Sequence, residues 1–274
     1  MRVTVIKFLV AAMLPFALCN AFAADTVKVA FIGSLSGPFA LQGEETMKNK
    51  VVLITGANGG LGTSITRSFL ETGASVTGVS NKILAEEFPQ PNFTPLSADL
   101  TKVGAVNDVV QSVVKRTGRL DILIHVLGAF AGGKSIAETD DATWQQMQDL
   151  NLSSAFYVLR AAIPHVRKSG NGRIVAIGSL AAVEPHAGIG AYVTFKSALV
   201  SLVGTVAVEN RDAGVTANVI LPDTMDTPGN RKDMPNADPS RWVATQDVAE
   251  LALWLADDRA AHVTGTTFPI TAKP

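Results

Sequence analysis

Cysteine is almost missing from this chain: Cys19 is the one example in 274 residues, so neither a disulfide framework nor a thiolate metal centre can be built. Net charge is nearly missing too. Lysines and arginines number 23 against 24 carboxylates, and the formal charge of −1 gives no electrostatic reason to expect nucleic acid or an anionic membrane as a partner. The four histidines, His125, His165, His186 and His262, are scattered without ligand spacing, so no metal site is expected. A content of 47% hydrophobic and 17% charged residues excludes disorder. What is present is a repeated alternation of short apolar runs with amphipathic segments, over a length that suits one large α/β domain.

The first such unit is the most informative. Lys50–Thr55 is an apolar strand, Gly56-Ala-Asn-Gly-Gly-Leu-Gly62 a glycine-rich turn, and Thr63–Thr72 a helix. Strand, turn and helix in that order let the backbone approach a pyrophosphate while helix N–H groups point at it. Thr55, Gly56, Asn58, Gly60, Leu61 and Gly62 are therefore candidate cofactor residues. Ala74–Ser80 reads as the second strand. An acid at its end would bind a ribose 2′-hydroxyl and favour NAD, but the chain reads Ser80-Asn81-Lys82. A hydroxyl, an amide and a cation suit a 2′-phosphate, so NADP(H) is expected over NAD(H), unless Lys82 is simply a solvated loop residue. Asn92–Leu100 holds the third strand, where Asp99, beside Leu100, is a candidate for the adenine amino group. Val103–Thr117 is amphipathic, and Asp121–Val126 is a fourth strand turning at Leu127-Gly128. The alternation predicts a Rossmann-type, doubly wound parallel sheet.

The second half carries the acid–base residues. Arg173–Gly178 is a buried strand with Ser179 at its end, and a helix begins near Ala191. Tyr192 and Lys196 are four apart and share one helix face. A tyrosine with a pKa near 10 is a poor proton donor at neutral pH, and a neighbouring ammonium pulls that value down. The same spacing also fits a solvated surface pair. Asp141–Gln148 opens a helix that continues through Asn151 to Arg160. An amide in a helix interior is either solvated or bonded to something specific. Ala217–Leu221 is a strand leading to Pro222 and Thr227, Gln246–Asp257 a helix, and Thr264–Ile270 a last strand.

Taken together, Gly56, Gly60, Gly62, Asp99, Asn151, Ser179, Tyr192 and Lys196 resemble, in order and spacing, the motifs of the short-chain dehydrogenase/reductase family over 48–270. The resemblance implies that Tyr192 donates a proton to a carbonyl oxygen as NADPH delivers hydride, or removes it in reverse. It implies that Lys196 lowers the Tyr192 pKa and holds the nicotinamide ribose, and that Ser179 orients the carbonyl. Asn151 would anchor a proton relay to Lys196, Gly128 and Pro222 would border the cofactor, and Thr227 would bind the carboxamide. Relatives commonly form dimers or tetramers through the helices carrying Asn151 and Tyr192. The chain departs from the family at His125-Val-Leu-Gly128, where Asn-Asn-Ala-Gly is usual, and His125 is expected to be a structural hydrogen bonder. It departs again at Pro222-Asp223, where Pro-Gly is usual, which leaves the turn geometry open. The loop from Asp226 to Trp242 resembles that of dihydropteridine reductases, so a pterin is a second substrate reading. Ser179 points instead to an ordinary carbonyl or alcohol. A non-catalytic nucleotide-binding protein of this fold would not need the proton-transfer residues.

The front end reads differently. Met1–Ala23 has the charged start, apolar core and Ala21-Phe22-Ala23 cleavage pattern of a signal peptide. Residues 24–46 form an extension, and its stretch from Asp25 to Glu45 resembles the first strand and loop of periplasmic branched-chain amino-acid binding proteins, whose second lobe does not follow. The domain proper is expected over 47–274. A chain processed after Ala23 would be exported, and one started at Met47 would stay in the cytoplasm.

Overall fold

Strand β1 (Val51–Thr55) is buried along its whole length because both of its edges and both of its faces are covered. Such strands are near-continuous apolar runs. The computed structural model describes residues 47–272, and the expected signal peptide and binding-protein-like extension lie outside them. On one side of β1 pair β2 (Ser75–Ser80) and then β3 (Phe93–Ser97). On the other pair β4 (Ile122–His125), β5 (Arg173–Ile177), β6 (Thr216–Pro222) and, last, a strand at Thr267–Ile270. All seven are parallel, so every carboxyl end lies along one edge of the sheet. The strand order reverses between β1 and β4, which opens a crevice above their ends.

Alternation along the strands decides which helix covers which face. Val52 and Ile54, Ile122 and Ile124, and Val175 and Ile177 point to one face, where Ile65 and Phe69 of α1 (Gly60–Glu71) meet Val248, Ala252 and Leu255 near the C-terminus. Leu53, Leu123, Ile174 and Ala176 point to the other. There they meet Val106, Val110 and Val113 of α2 (Val103–Thr117) and the helices of the second half. Those are α4 (Ser154–Lys168) and α5 (Gly190–Asn210), while the preceding α3 (Asp141–Gln148) packs through Met147 on Ala191 and Phe195 of α5. After β6 come a two-residue strand β7 (Met225–Asp226), a short α6 (Pro228–Asp233), its partner strand β8 (Val243–Ala244), α7 (Thr245–Ala256) and β9 (Thr267–Ile270).

The structure departs from the sequence reading at several ends. Helix α1 starts at Gly60 rather than Thr63, because three glycines around its first turn do not prevent it from forming on β1. The third strand stops at Ser97, which puts Asp99 in the following turn. The expected continuous helix from Asp141 to Arg160 is interrupted at Asp149–Ser153 by a wider turn of π type. Such bulges recur at functional sites. The altered Pro222-Asp223 turn is accommodated without disturbing the sheet: Pro222 pairs with Ile270, and the Asp223 N–H donates to Ile270 O at 3.0 Å.

Gly62 illustrates how tightly α1 sits on the turn before it. A Cβ there would collide with the Gly56 carbonyl oxygen, a backbone atom that cannot move alone. Gly62→Ala is expected to cost roughly 2 kcal/mol or more of stability, read as a lowered urea midpoint with an unchanged slope.

Candidate active site

The parallel strands β1 to β6 deliver the side chains of interest to the crevice edge. From β5 the chain passes through Gly178 to Ser179, which is extended and accepts a hydrogen bond from the Ala181 N–H at 3.3 Å. Tyr192 lies in the first turn of α5, with Lys196 one turn further on. The Tyr192 phenol lies beside Ser179, close enough for the serine hydroxyl to favour the phenolate. Lys196 is only 4% exposed, and its Nζ donates to the Ile177 carbonyl at 3.0 Å while standing 5.9 Å from the centre of the Tyr192 ring. Ser179, Tyr192 and Lys196 are therefore together, as the spacing predicts.

The direction of the Tyr192 pKa is not as predicted. Burial pushes the phenol above its ordinary value of 10.0, and the Ser179 hydroxyl opposes that rise without cancelling it. Lys196 fails to reverse it because burial also disfavours its own charge, lowering it from 10.5 to about 8. Its ammonium is turned towards Ile177 O rather than the phenol oxygen.

Asn151 lies in the π-type turn and is completely buried. Its Oδ1 accepts from the Ala129 N–H at 3.1 Å, and its Nδ2 donates to Ala129 O at 3.0 Å and to Met147 O at 3.1 Å. The amide is thus clamped to the main chain just after β4. Gly128 sits between this clamp and Lys196: a Cβ there would lie 2.8 Å from Asn151 Oδ1 and 3.0 Å from Lys196 Nζ. Only glycine lets the loop after β4 pass this close.

The surroundings of His125 fit the expected structural role. Its Nδ1 lies 3.0 Å from Thr55 Oγ1, which also accepts from the N–H groups of Val126 and Leu127 at 3.1 and 3.3 Å. With both lone pairs of that oxygen used, its proton goes to Nδ1. The imidazole then carries its own proton on Nε2, a buried atom without a protein partner. Burial, and secondarily the Lys196 charge, lower the His125 pKa from 6.5 to about 3.

The nucleotide side of the crevice is also assembled. Gly56 is left-handed at φ 65°, Gly59 precedes α1 in an extended conformation, and no side chain caps the helix. Its first N–H groups are left facing the crevice. The Asn58 N–H reaches Ser80 Oγ at 3.4 Å and its amide donates to Lys82 O at 2.8 Å, so Ser80, Asn81 and Lys82 border the glycine turn. Leu61 and Leu100 are buried at 5% and 2% exposure. Asp99 is at the edge, but its Oδ1 already accepts from the N–H and hydroxyl of Thr101 at 2.9 and 2.7 Å. Thr227 packs on Gly60, where a Cβ would lie 2.8 Å from Thr227 Cβ, and its hydroxyl accepts from the Asn230 N–H at 3.2 Å.

Sequence reasoning missed Phe130. Its ring is 66% exposed and meets the Tyr192 ring edge-on, 5.1 Å between centres. Ile136 packs against Gly190, and the Gly133 N–H donates to Gly188 O at 2.9 Å, so the segments after β4 and β5 close one wall together. The available signal was an aromatic residue two positions after the Leu127-Gly128 turn.

Residues 50–238 match the family model for short chain dehydrogenases. The chain belongs to the short-chain dehydrogenase family. It is 32% identical over 249 residues to D-beta-hydroxybutyrate dehydrogenase of Rhizobium meliloti, with 79% of this chain and 95% of that one covered. It is 30% identical over 233 residues to 2,3-dihydro-2,3-dihydroxybenzoate dehydrogenase of Escherichia coli, with 78% and 92% covered. A solved structure of ElxO with NADP bound superposes with a TM-score of 0.78 at 26% identity, over 81% of this chain and 97% of that one. Membership of this dehydrogenase family makes the chain an oxidoreductase that uses a nicotinamide cofactor, and the uncapped glycine-rich start of α1 fits a dinucleotide pyrophosphate.

The neutral His125 has a measurable consequence. The unfolded chain takes a proton at the ordinary value of 6.5 and the folded chain only near 3, so this contribution to stability is complete above 6.5 and is lost as the pH falls towards 3. The loss runs at up to about 1.4 kcal/mol per pH unit. His125→Asn, which does not titrate, is expected to flatten the acid limb of a stability–pH profile measured by urea unfolding.

Proposed function

We propose that the chain transfers hydride between NAD(P)(H) and a small carbonyl or alcohol substrate, with Tyr192 as the general acid and base. The observation that supports this reading best is the gathering of Ser179, the Tyr192 phenol and a buried Lys196 at one place on the crevice edge. When bound, the nicotinamide supplies or accepts the hydride. The remaining steps belong to the chain. Ser179 donates a hydrogen bond to the substrate oxygen and fixes its direction. Tyr192 gives that oxygen a proton in reduction and takes one in oxidation. Lys196, lowered by burial to about 8, returns the proton through the relay and keeps a positive charge near the phenolate as it forms. Asn151 is a positioning residue: it holds the loop carrying Gly128 against Lys196, and its Oδ1 borders the space through which a water-borne relay would run.

On the cofactor side, the first turn of α1 holds the pyrophosphate, and Gly128, Pro222 and Thr227 border the nicotinamide half. Ser80, Asn81 and the Lys82 cation support NADP(H) over NAD(H). The exposed apolar side chains of Phe130 and Ile136 favour a substrate with an apolar or aromatic flank, which would cover them. The related dehydrogenases are named for hydroxylated substrates, in keeping with a carbonyl–alcohol pair. Ser179 supports that class over a pterin.

Tyr192→Phe is expected to lower turnover by about 10²–10⁴-fold while dinucleotide affinity stays nearly unchanged. Retained turnover would remove Tyr192 from the proton-transfer role. Lys82→Ala is expected to weaken NADPH by several-fold more than NADH in a calorimetric titration, and equal losses would dismiss the NADP(H) preference.

A further inference from the structure

The segment after β2 carries a fixed charge that hydride transfer does not use. Glu87 closes a short turn at Ala85–Glu87, and its Oε1 accepts from the Leu84 N–H at 2.8 Å. The same carboxylate takes the Asn58 amide at 3.3 Å on Oε1 and 3.1 Å on Oε2. That amide also donates to the Lys82 carbonyl. Glu87 therefore ties the glycine turn, through Asn58, to the chain leaving β2. In a dinucleotide-binding sheet the adenosine ribose lies at this place, between the first strand–helix turn and the end of the second strand.

The chemistry of the two ribose forms differs sharply there. A 2′-hydroxyl can donate to a carboxylate. A 2′-phosphate brings close to two negative charges and no proton to donate, and it meets an anion that two donors hold in position. The strand end itself, Ser80-Asn81, offers no carboxylate, so the acid that discriminates comes from a turn further along the chain.

We infer that Glu87 is a specificity-determining residue for the dinucleotide, accepting a ribose hydroxyl of NAD(H) and opposing the 2′-phosphate of NADP(H). It pulls against Lys82 and narrows the difference between the two affinities. The inference rests on the dinucleotide reading above and goes beyond it in assigning an opposing residue.

Calorimetric titration of NADH and NADPH into the full chain tests this with wild type, Glu87→Gln and Glu86→Gln. In Glu87→Gln the new side-chain amide keeps an oxygen for the Leu84 and Asn58 N–H groups, so the substitution removes charge and little else. Glu86→Gln makes the same charge change next door. Glu87→Gln is expected to tighten NADPH relative to NADH by about tenfold at low salt, with the gain shrinking as salt is added. Glu86→Gln should move the ratio far less. An unchanged ratio in Glu87→Gln, equal changes for both dinucleotides, or an equal shift in Glu86→Gln would overturn the assignment while leaving the cofactor reading intact. If neither dinucleotide bound the wild type, the cofactor reading itself would fall, and this inference with it.

Discussion

The clamp between Asn151 and the main chain of Ala129 is the contact on which the catalytic side of the crevice depends. It satisfies both the N–H and the C=O of one residue in the loop after β4 with one buried side chain. A buried amide left unpaired would cost about 1–3 kcal/mol, so the loop has one position that satisfies all of these groups. That position brings Gly128 down over Lys196, and Lys196 in turn reaches Ile177 O, just before Ser179. The π-type turn at Asp149–Ser153 belongs to the same constraint. A regular helix would rotate Asn151 to a different angle, and the extra residue in the turn aims its amide at the loop.

Burial of so many polar groups sets the electrostatics. His125 and Lys196 are both bases, both buried, and close enough for the charge of one to act on the other. Two buried cations could not both be accommodated. His125 gives way: it is neutral, bonded through Nδ1 to Thr55 Oγ1, and leaves the charge to Lys196. An imidazole can replace the usual asparagine at the end of β4 because its neutral form, like an amide, offers an atom that accepts a hydrogen bond. The same burial that suppresses His125 raises the Tyr192 phenol, and it is the Ser179 hydroxyl that opposes the rise.

Much of this could be seen in the chain. The central strands were legible because parallel strands covered on both faces must be apolar throughout, and the glycine turn because no other residue allows Gly56 to be left-handed and Gly62 to pack on it. Ser179, Tyr192 and Lys196 were legible because strand end and helix spacing place them by local geometry. The π-type turn was not, since its cause is a contact with Ala129 from a distant segment. The direction of the Tyr192 shift was also hidden: spacing gives the neighbour, whereas burial depends on the whole fold. Asp99 lies in the turn past β3 rather than at the strand end, and its capture by Thr101 depends on rotamers that a sequence does not state. Glu87 escaped because the expected acid belongs at the strand end, and here the carboxylate reaches back from a turn.

The two ends of the crevice are held by bonds of different kinds. At the catalytic end they are buried: Asn151 to Ala129, Lys196 to Ile177, Thr55 to His125. At the adenosine end they are exposed: Asn58 to Glu87, Leu84 to Glu87, Thr101 to Asp99. Removing a partner of a buried bond leaves a polar group without water, whereas an exposed bond is replaced by solvent at small cost. Substitution at the catalytic end therefore changes chemistry and stability together. At the adenosine end charge can be altered with the fold intact, so cofactor preference is the property this architecture leaves freest to vary.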